Sequence, residues 1–229
     1  MPAGFFSSPH FTNLSLAALA AYLVGAIPFG LVVAFAVSGR DVRQWGSGNI
    51  GATNVGRMLG FKWFVVVFLL DMLKGAVPVM IATLVQQRSG SSAAFAYLPE
   101  VAALAAILGH MFPVYLKFKG GKGVATSIGA VFALAWQPAL AAVVAFVVVF
   151  ALTRFVSLGS IIGSAAFTAA YFWLYPDPWA LELRARTILA VAAPLLIIVA
   201  HRTNIVRIFQ GREARIGVKK PPAPPPSDT

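Results

Sequence analysis

Long uninterrupted apolar runs are the feature that most restricts this chain. They cover residues 14–37, 63–85, 97–116, 124–136, 139–152, 155–175 and 187–200, separated by short loops that carry most of the charge. A helix needs about 20 apolar residues to cross roughly 30 Å of hydrocarbon, and several runs approach that length. Hydrophobic residues make up 59% of the chain and charged ones 11%, against about 45–50% and about 25% in soluble domains. Such a chain cannot clothe its surface in polar groups, so the bilayer is its solvent. Continuous apolar blocks also argue against a barrel, whose strands alternate over segments of about 10 residues. The expected architecture is all-α: a multi-pass helical membrane protein of about seven transmembrane segments, with one domain over 1–217 and a Pro-rich, disordered tail over 218–229.

The fourth and fifth runs are separated at Gln137-Pro138, because proline lacks a donor and disfavours helix in the residue before it. They form two crossings or a re-entrant hairpin, and either returns the chain to the side it left. Sidedness then follows from the basic residues, which favour short cytoplasmic loops. One set of loops, with the C-terminal tail, holds fourteen Lys and Arg, from Arg40 to Lys220; the other holds Arg88, Arg184 and Arg186. The asymmetry places the N-terminus outside and the C-terminus in the cytoplasm. It also accounts for the net charge of +11 without a nucleic-acid partner. Residues 1–13 carry no Lys or Arg, so Leu14 reads as the start of a retained helix and not of a cleaved signal. The chain has no cysteine, which removes disulfide and thiolate chemistry.

Three polar segments on the basic side carry the chemistry. The first runs from Gly46 to Arg57 and contains Ser47, Asn49, Thr53 and Asn54 among four glycines. Such a backbone turns tightly and aims N–H groups inward, which binds anions, and Arg57 supplies a planar charged fork. The bland alternative is a connector made of common turn residues. The second segment, 109–126, holds His110 and then Gly120, Gly121, Lys122, Gly123 and Thr126. Glycines running straight into an apolar helix offer free amides and the positive helix end to a phosphate, with Lys122 as counter-charge. It is not a Walker A loop, since the glycine spacing fails at Leu116 and no Ser or Thr follows Lys122. The third, 201–207, puts His201, Asn204 and more loosely Arg207 on one helical face; alone, it also reads as a basic helix end.

Asp71 and Lys74 lie inside the second apolar run. Charges there cost about 2.5 to 3.5 kcal/mol each on insertion scales, so they must face protein and be compensated. At a spacing of three they can neutralise one another, either as a structural ion pair or as support for the site. The seven carboxylates, Glu213 among them, are scattered with no spacing suited to a metal cage or an acid/base dyad. No metal and no cofactor is expected.

Taken together, 46–57, 109–126 and 201–207 resemble the three motifs of the bacterial acyl-phosphate:glycerol-3-phosphate acyltransferases, the PlsY family, and the order and spacing of the apolar runs are also similar. The resemblance implies acyl transfer from acyl phosphate to the 1-hydroxyl of glycerol 3-phosphate, in phospholipid synthesis at the bacterial inner membrane, with the site facing the cytoplasm. By the same resemblance Ser47, Arg57, Lys122, His201 and Asn204 are candidate catalytic residues. Asn49, Asn54, His110, Gly120, Gly121, Gly123 and Thr126 are candidate substrate-binding residues. The implied partners are the two substrates and membrane lipids, with no nucleic acid and no oligomeric state specified. His201 is the first candidate general base and His110 the second, with a substrate phosphate oxygen as the alternative to both. A transporter for phosphate-bearing solutes is the competing class. It is disfavoured because the basic motif residues gather on one face, whereas transporter sites lie near the midplane.

Overall fold

The computed structural model describes residues 9–90 and 95–217; the Pro-rich tail expected at 218–229 lies outside the described residues. Among the described residues all regular structure is helical. The order is α1 (Pro9–Gly25), α2 (Phe29–Ser38), α3 (Ala52–Leu59), α4 (Phe61–Arg88), α5 (Leu98–Met111), α6 (Val124–Leu134), α7 (Trp136–Thr153), α8 (Val156–Leu174), α9 (Arg184–Ala200) and α10 (Arg202–Phe209). Five stretches are long and apolar enough to cross a membrane: His10–Ser38, Phe61–Arg88, Leu98–Leu116, Trp136–Thr153 and Val156–Leu174. Helices α9 and α10 make a sixth if their 54° bend falls within one span.

The expected fourth crossing is the exception. Helix α6 has 11 residues, about 16 Å at 1.5 Å per residue, or roughly half of the hydrocarbon. Gln137 and Pro138 do not interrupt the run as the sequence suggests. The break falls two residues before Gln137, at Ala135 (φ −152°, ψ 73°), and Pro138 sits in the first turn of α7. There its missing N–H breaks no bond, because first-turn amides have no intrahelical acceptor. The pair α6–α7 still returns to the face it left. Helix α6 begins beside Lys122, which is bonded to Asn204. Helix α7 ends at Arg154, whose carbonyl accepts from Ile216 N–H at 3.0 Å in the segment after α10.

The first apolar run is also not one continuous helix. Pro28 divides it into α1 and α2, and the amides of Leu31 and Val32 both turn to the Pro28 carbonyl at 3.0 Å. The Ile27 carbonyl, released from the ladder, accepts from Lys74 Nζ at 2.7 Å.

Helix α5 is the centre of the bundle. Its Ala103, Ala106 and Ile107 are fully buried, and Ile107 and Met111 join Val79, Ala130 and Leu189 in a core shared by α4, α5, α6 and α9. Small residues set the helix spacing: a side chain at Gly75 would strike the Thr126 carbonyl, and one at Gly129 the Met72 carbonyl. Close backbone approach of this kind is how helices pack where lipid removes the hydrophobic drive between them. Large apolar residues such as Leu16, Leu69, Val147 and Trp173 project outward from the peripheral helices, a surface suited to lipid.

Candidate active site

The three polar segments meet at one end of the bundle. In the first, Asp41 caps a single turn over Val42–Gln44, and the chain then folds around the amide of Asn54. Its Nδ2 donates to the carbonyls of Val42, Trp45 and Asn49, each at 2.9 Å, while its Oδ1 accepts from Ser47 N–H at 3.0 Å. Asn54 is 2% exposed. Its hydrogen-bonding capacity goes to the loop, so it shapes the site and does not line it. Asn49 Oδ1 accepts from Gly51 N–H at 2.9 Å, a local turn that leads into α3. Ser47 is left exposed at the rim, and Arg57 projects from α3 as an exposed side chain.

The second segment is pinned from below. Gly120 N–H donates to the Met111 carbonyl at 3.2 Å and Gly121 N–H to the His110 carbonyl at 3.0 Å. A side chain at Gly121 would occupy the position of the His110 ring, and Gly123, at φ +80°, caps α6 in the left-handed region. The first amide in the α6 ladder is Ser127 N–H, bonded to Gly123 O at 2.8 Å. The amides of Val124, Ala125 and Thr126 before it form the positive end of the helix. Thr126 itself is fully buried, its carbonyl against Gly75, and His110 is 5% exposed. Both side chains keep a buried polar atom, Thr126 Oγ1 and His110 Nδ1, that has no hydrogen-bond partner within the protein.

The third segment supplies the partner for Lys122. Its Nζ donates to Asn204 Oδ1, and Asn204 Nδ2 in turn donates to Glu213 Oε1 at 2.6 Å. Glu213 also accepts from Ser157 Oγ at 2.7 Å and from Arg207 Nε at 2.8 Å. Burial pushes the Glu213 carboxyl up, but the hydrogen bonds from Arg207, Asn204 and Ser157 outweigh it and hold it below the usual carboxylate range. Burial draws the Lys122 ammonium down to about 8; Glu213 opposes this, while Arg207 and Arg57 add to it. Although Arg57 keeps access to solvent, the protein around it partly desolvates its guanidinium; this outweighs the pull of Glu213 and, with repulsion from Arg207, sets it below the ordinary arginine value. Arg57, Lys122 and Arg207 thus share a single carboxylate. The resulting excess of positive charge suits an anion carrying more than one negative charge.

His201 stands at the α9–α10 bend, 3% exposed. Its Nδ1 lies 2.7 Å from the Ile197 carbonyl. A carbonyl only accepts, so Nδ1 carries the proton and Nε2 is the basic nitrogen of the neutral ring.

Beneath these groups an apolar groove runs between α6, α7, α8 and α9. Its upper wall includes Val124, one residue from Gly123, and Ile197, four before His201; its far end reaches Ala139, Ala142 and Phe167.

Among the sequence-selected residues, the structure joins Lys122 and Asn204 directly and couples Arg57 electrostatically to the same cluster. Glu213 and Ser157 are the omissions. Glu213 was one scattered carboxylate with no spacing signal, and it reaches the site because the chain turns back after α10, where Arg212 and Glu213 N–H both bond the Arg207 carbonyl. No group of three or more metal-ligating side chains occurs among the described residues.

A model of the glycerol-3-phosphate acyltransferase family matches residues 15–211. The chain is 45% identical over 201 residues to the glycerol-3-phosphate acyltransferase of Anaeromyxobacter dehalogenans (strain 2CP-C), covering 86% of this chain and 94% of that one. It is 43% identical over 195 residues to the enzyme of the same name from Aquifex aeolicus (strain VF5), covering 85% and 95%. Its fold is similar to the crystal structure of PlsY, an integral membrane glycerol 3-phosphate acyltransferase, in the glycerol 3-phosphate form, with a TM-score of 0.78, 41% identity, and 89% and 96% of the two chains covered. The lysophosphatidic acid form of PlsY superposes with a TM-score of 0.74 at 40% identity, covering 89% and 95%. Matched by the family model over residues 15–211 and by the PlsY structure over 89% of its length, the chain belongs to the glycerol-3-phosphate acyltransferase family, the family of PlsY.

Proposed function

We propose that this protein transfers a fatty acyl group from acyl phosphate to the 1-hydroxyl of glycerol 3-phosphate, giving lysophosphatidic acid and inorganic phosphate, at the cytoplasmic face of the bacterial inner membrane. The observation that carries the reading is the cationic cluster of Lys122, Arg57 and Arg207, with Lys122 two residues before Val124, which lines an apolar groove. One end suits phosphate and the other a hydrocarbon chain. Family membership supports glycerol 3-phosphate as the acceptor. The charge asymmetry of the loops supports the cytoplasmic orientation.

In the reaction the 1-hydroxyl oxygen bonds to the acyl carbon and the acyl–phosphate C–O bond breaks. The hydroxyl proton finishes on the departing phosphate, which leaves as hydrogen phosphate. Lys122, Arg57 and the α6 amides stabilise charge gathering on that phosphate. The donor is already activated, so the protein contributes mainly orientation and this electrostatic support. His201 Nε2 is the first protein candidate to accept the proton, and a phosphate oxygen of a substrate is the alternative. No described segment offers a fold for adenine and ribose, so a single phosphate joined to the acyl group fits better than acyl-CoA. Purified protein given palmitoyl phosphate and glycerol 3-phosphate, without metal or nucleotide, is expected to form lysophosphatidic acid. Comparable turnover with palmitoyl-CoA overturns the donor assignment, and absence of product with either donor overturns the acyltransferase reading.

A further inference from the structure

A buried polar chain lies beneath the glycine-lysine loop, and the reaction as described does not use it. It starts at the Ile27 carbonyl, at the break between α1 and α2, which accepts from Phe29 N–H at 3.1 Å and from Lys74 Nζ at 2.7 Å. Lys74 pairs with Asp71 Oδ1 at 2.7 Å, and both side chains are 2% exposed. The same Asp71 oxygen lies 3.7 Å from His110 Nδ1. That ring nitrogen is buried and has no hydrogen-bond partner, so the carboxylate is the polar group facing it. The other ring nitrogen, Nε2, lies against Gly121, where only a glycine fits. Gly121 N–H is bonded to the His110 carbonyl at 3.0 Å, and Lys122 is the next residue.

A simple structural ion pair explains why Asp71 and Lys74 occur together. It does not explain why the pair stands under a histidine whose far edge touches the loop. We propose that Asp71, fixed by Lys74 and the broken first span, is a positioning residue. It sets the tilt of the His110 ring, and the ring sets the height of Gly121 and with it the reach of Lys122 toward the substrate phosphate. The inference rests on Lys122 being a phosphate anchor.

The test uses full-length protein in detergent and compares kcat and KM for wild type, D71N, K122A and D71N/K122A. D71N is expected to lower kcat/KM by about tenfold in the wild-type background and by less than about twofold when Lys122 is already alanine, because coupled residues are not additive. Equal losses in both backgrounds reduce Asp71 to a structural residue and overturn the proposal. An undiminished K122A enzyme would instead defeat the phosphate-anchor reading on which it rests. D71N leaves the Lys74 charge buried and unpaired, so D71L/K74M serves as the second variant, replacing the pair with apolar groups of similar size. This variant is expected to keep the wild-type melting temperature and still show the loss in kcat/KM. Wild-type kcat/KM in D71L/K74M, or failure of that variant to fold, overturns the proposal.

Discussion

Lys122 Nζ donates a hydrogen bond to Asn204 Oδ1 across 82 positions of sequence, joining the start of α6 to the α10 helix. The bond places the lysine where burial and two neighbouring arginines act on it together. It is also the point at which the glycine-rich loop and the third motif become one site.

Replacing Lys122 by alanine removes a charge-assisted contact of about 1.5 to 3 kcal/mol, or one to two powers of ten in kcat/KM. Arg57→Lys is also expected to lower kcat/KM, since a point charge does not reproduce a bidentate fork. Steady-state kinetics on folded variants check both. Near-normal values would return these residues to topology anchors.

Because burial draws the Lys122 ammonium down to about 8, its charge is present below that pH and lost above it. Phosphate binding needs the charge, so kcat/KM, which reports free-enzyme ionisations, should fall as pH rises through about 8. Lys122→Arg keeps its charge throughout the accessible range and should abolish that limb, whatever it does to the maximal rate. A limb that persists unchanged in the arginine variant assigns it to another group.

The glycine loops and their charges were legible in the sequence because both are local signals: glycines crowd where amides must face an anion, and charge appears abruptly at the edge of apolar runs. Glu213 was not legible, since its role depends on a reversal after α10 that brings it to Ser157, Asn204 and Arg207. Proline misleads in both directions. Pro138 suggested a break that its first-turn position makes unnecessary, whereas Pro28, inside an apolar run expected as one helix, does break it. Asn54, whose amide bonds its own loop, shows a different limit. Residue type identifies a polar side chain in a motif, but only packing shows whether it turns toward ligand or toward its own loop.

Glu213→Gln should loosen the site and the fold together. The amide cannot pair with Arg207 as a carboxylate does, and it offers a donor where Asn204 and Ser157 already donate. A loss of about 1 to 3 kcal/mol follows from unsatisfied buried groups, read as a lower melting temperature in detergent. The sign with pH is fixed by the lowered native pKa. The carboxylate's contribution is fully present above the ordinary value of 4.5 and disappears as pH falls below it, through the native value. The melting temperature of the glutamine variant should therefore converge with wild type in acid. A constant gap would refute the assignment to ionised Glu213.

Orientation is testable because the chain has no native cysteine. Single cysteines at the exposed positions Ser47 and Asp177 lie at opposite ends of the bundle, one in the first motif and the other in the α8–α9 connection. An impermeant thiol reagent applied to intact cells is expected to label position 177 and spare position 47. Labelling of 47 from outside would invert the proposed topology and move the site out of the cytoplasm.

The apolar groove makes the last prediction. Its lining runs from Val124 and Ile197, near the glycine-lysine loop and His201, to Ala139, Ala142 and Phe167. A chain whose carbonyl lies at the polar mouth must place its methyl end toward that floor. Ala142 is only partly buried and faces the groove, so leucine there adds three carbons to the floor while leaving the mouth intact. Long donors should then lose more than short ones. Each methylene in an apolar pocket is worth about 1 to 3 kcal/mol of discrimination, and excluding even one or two should lower the ratio of kcat/KM for palmitoyl phosphate to that for lauroyl phosphate by about tenfold or more. The rate with lauroyl phosphate should change little, because Lys122, Arg57 and His201 are untouched. Equal losses with both donors would show that leucine disturbs the α7–α8 packing instead of shortening the groove, and an unchanged ratio would place the acyl chain elsewhere.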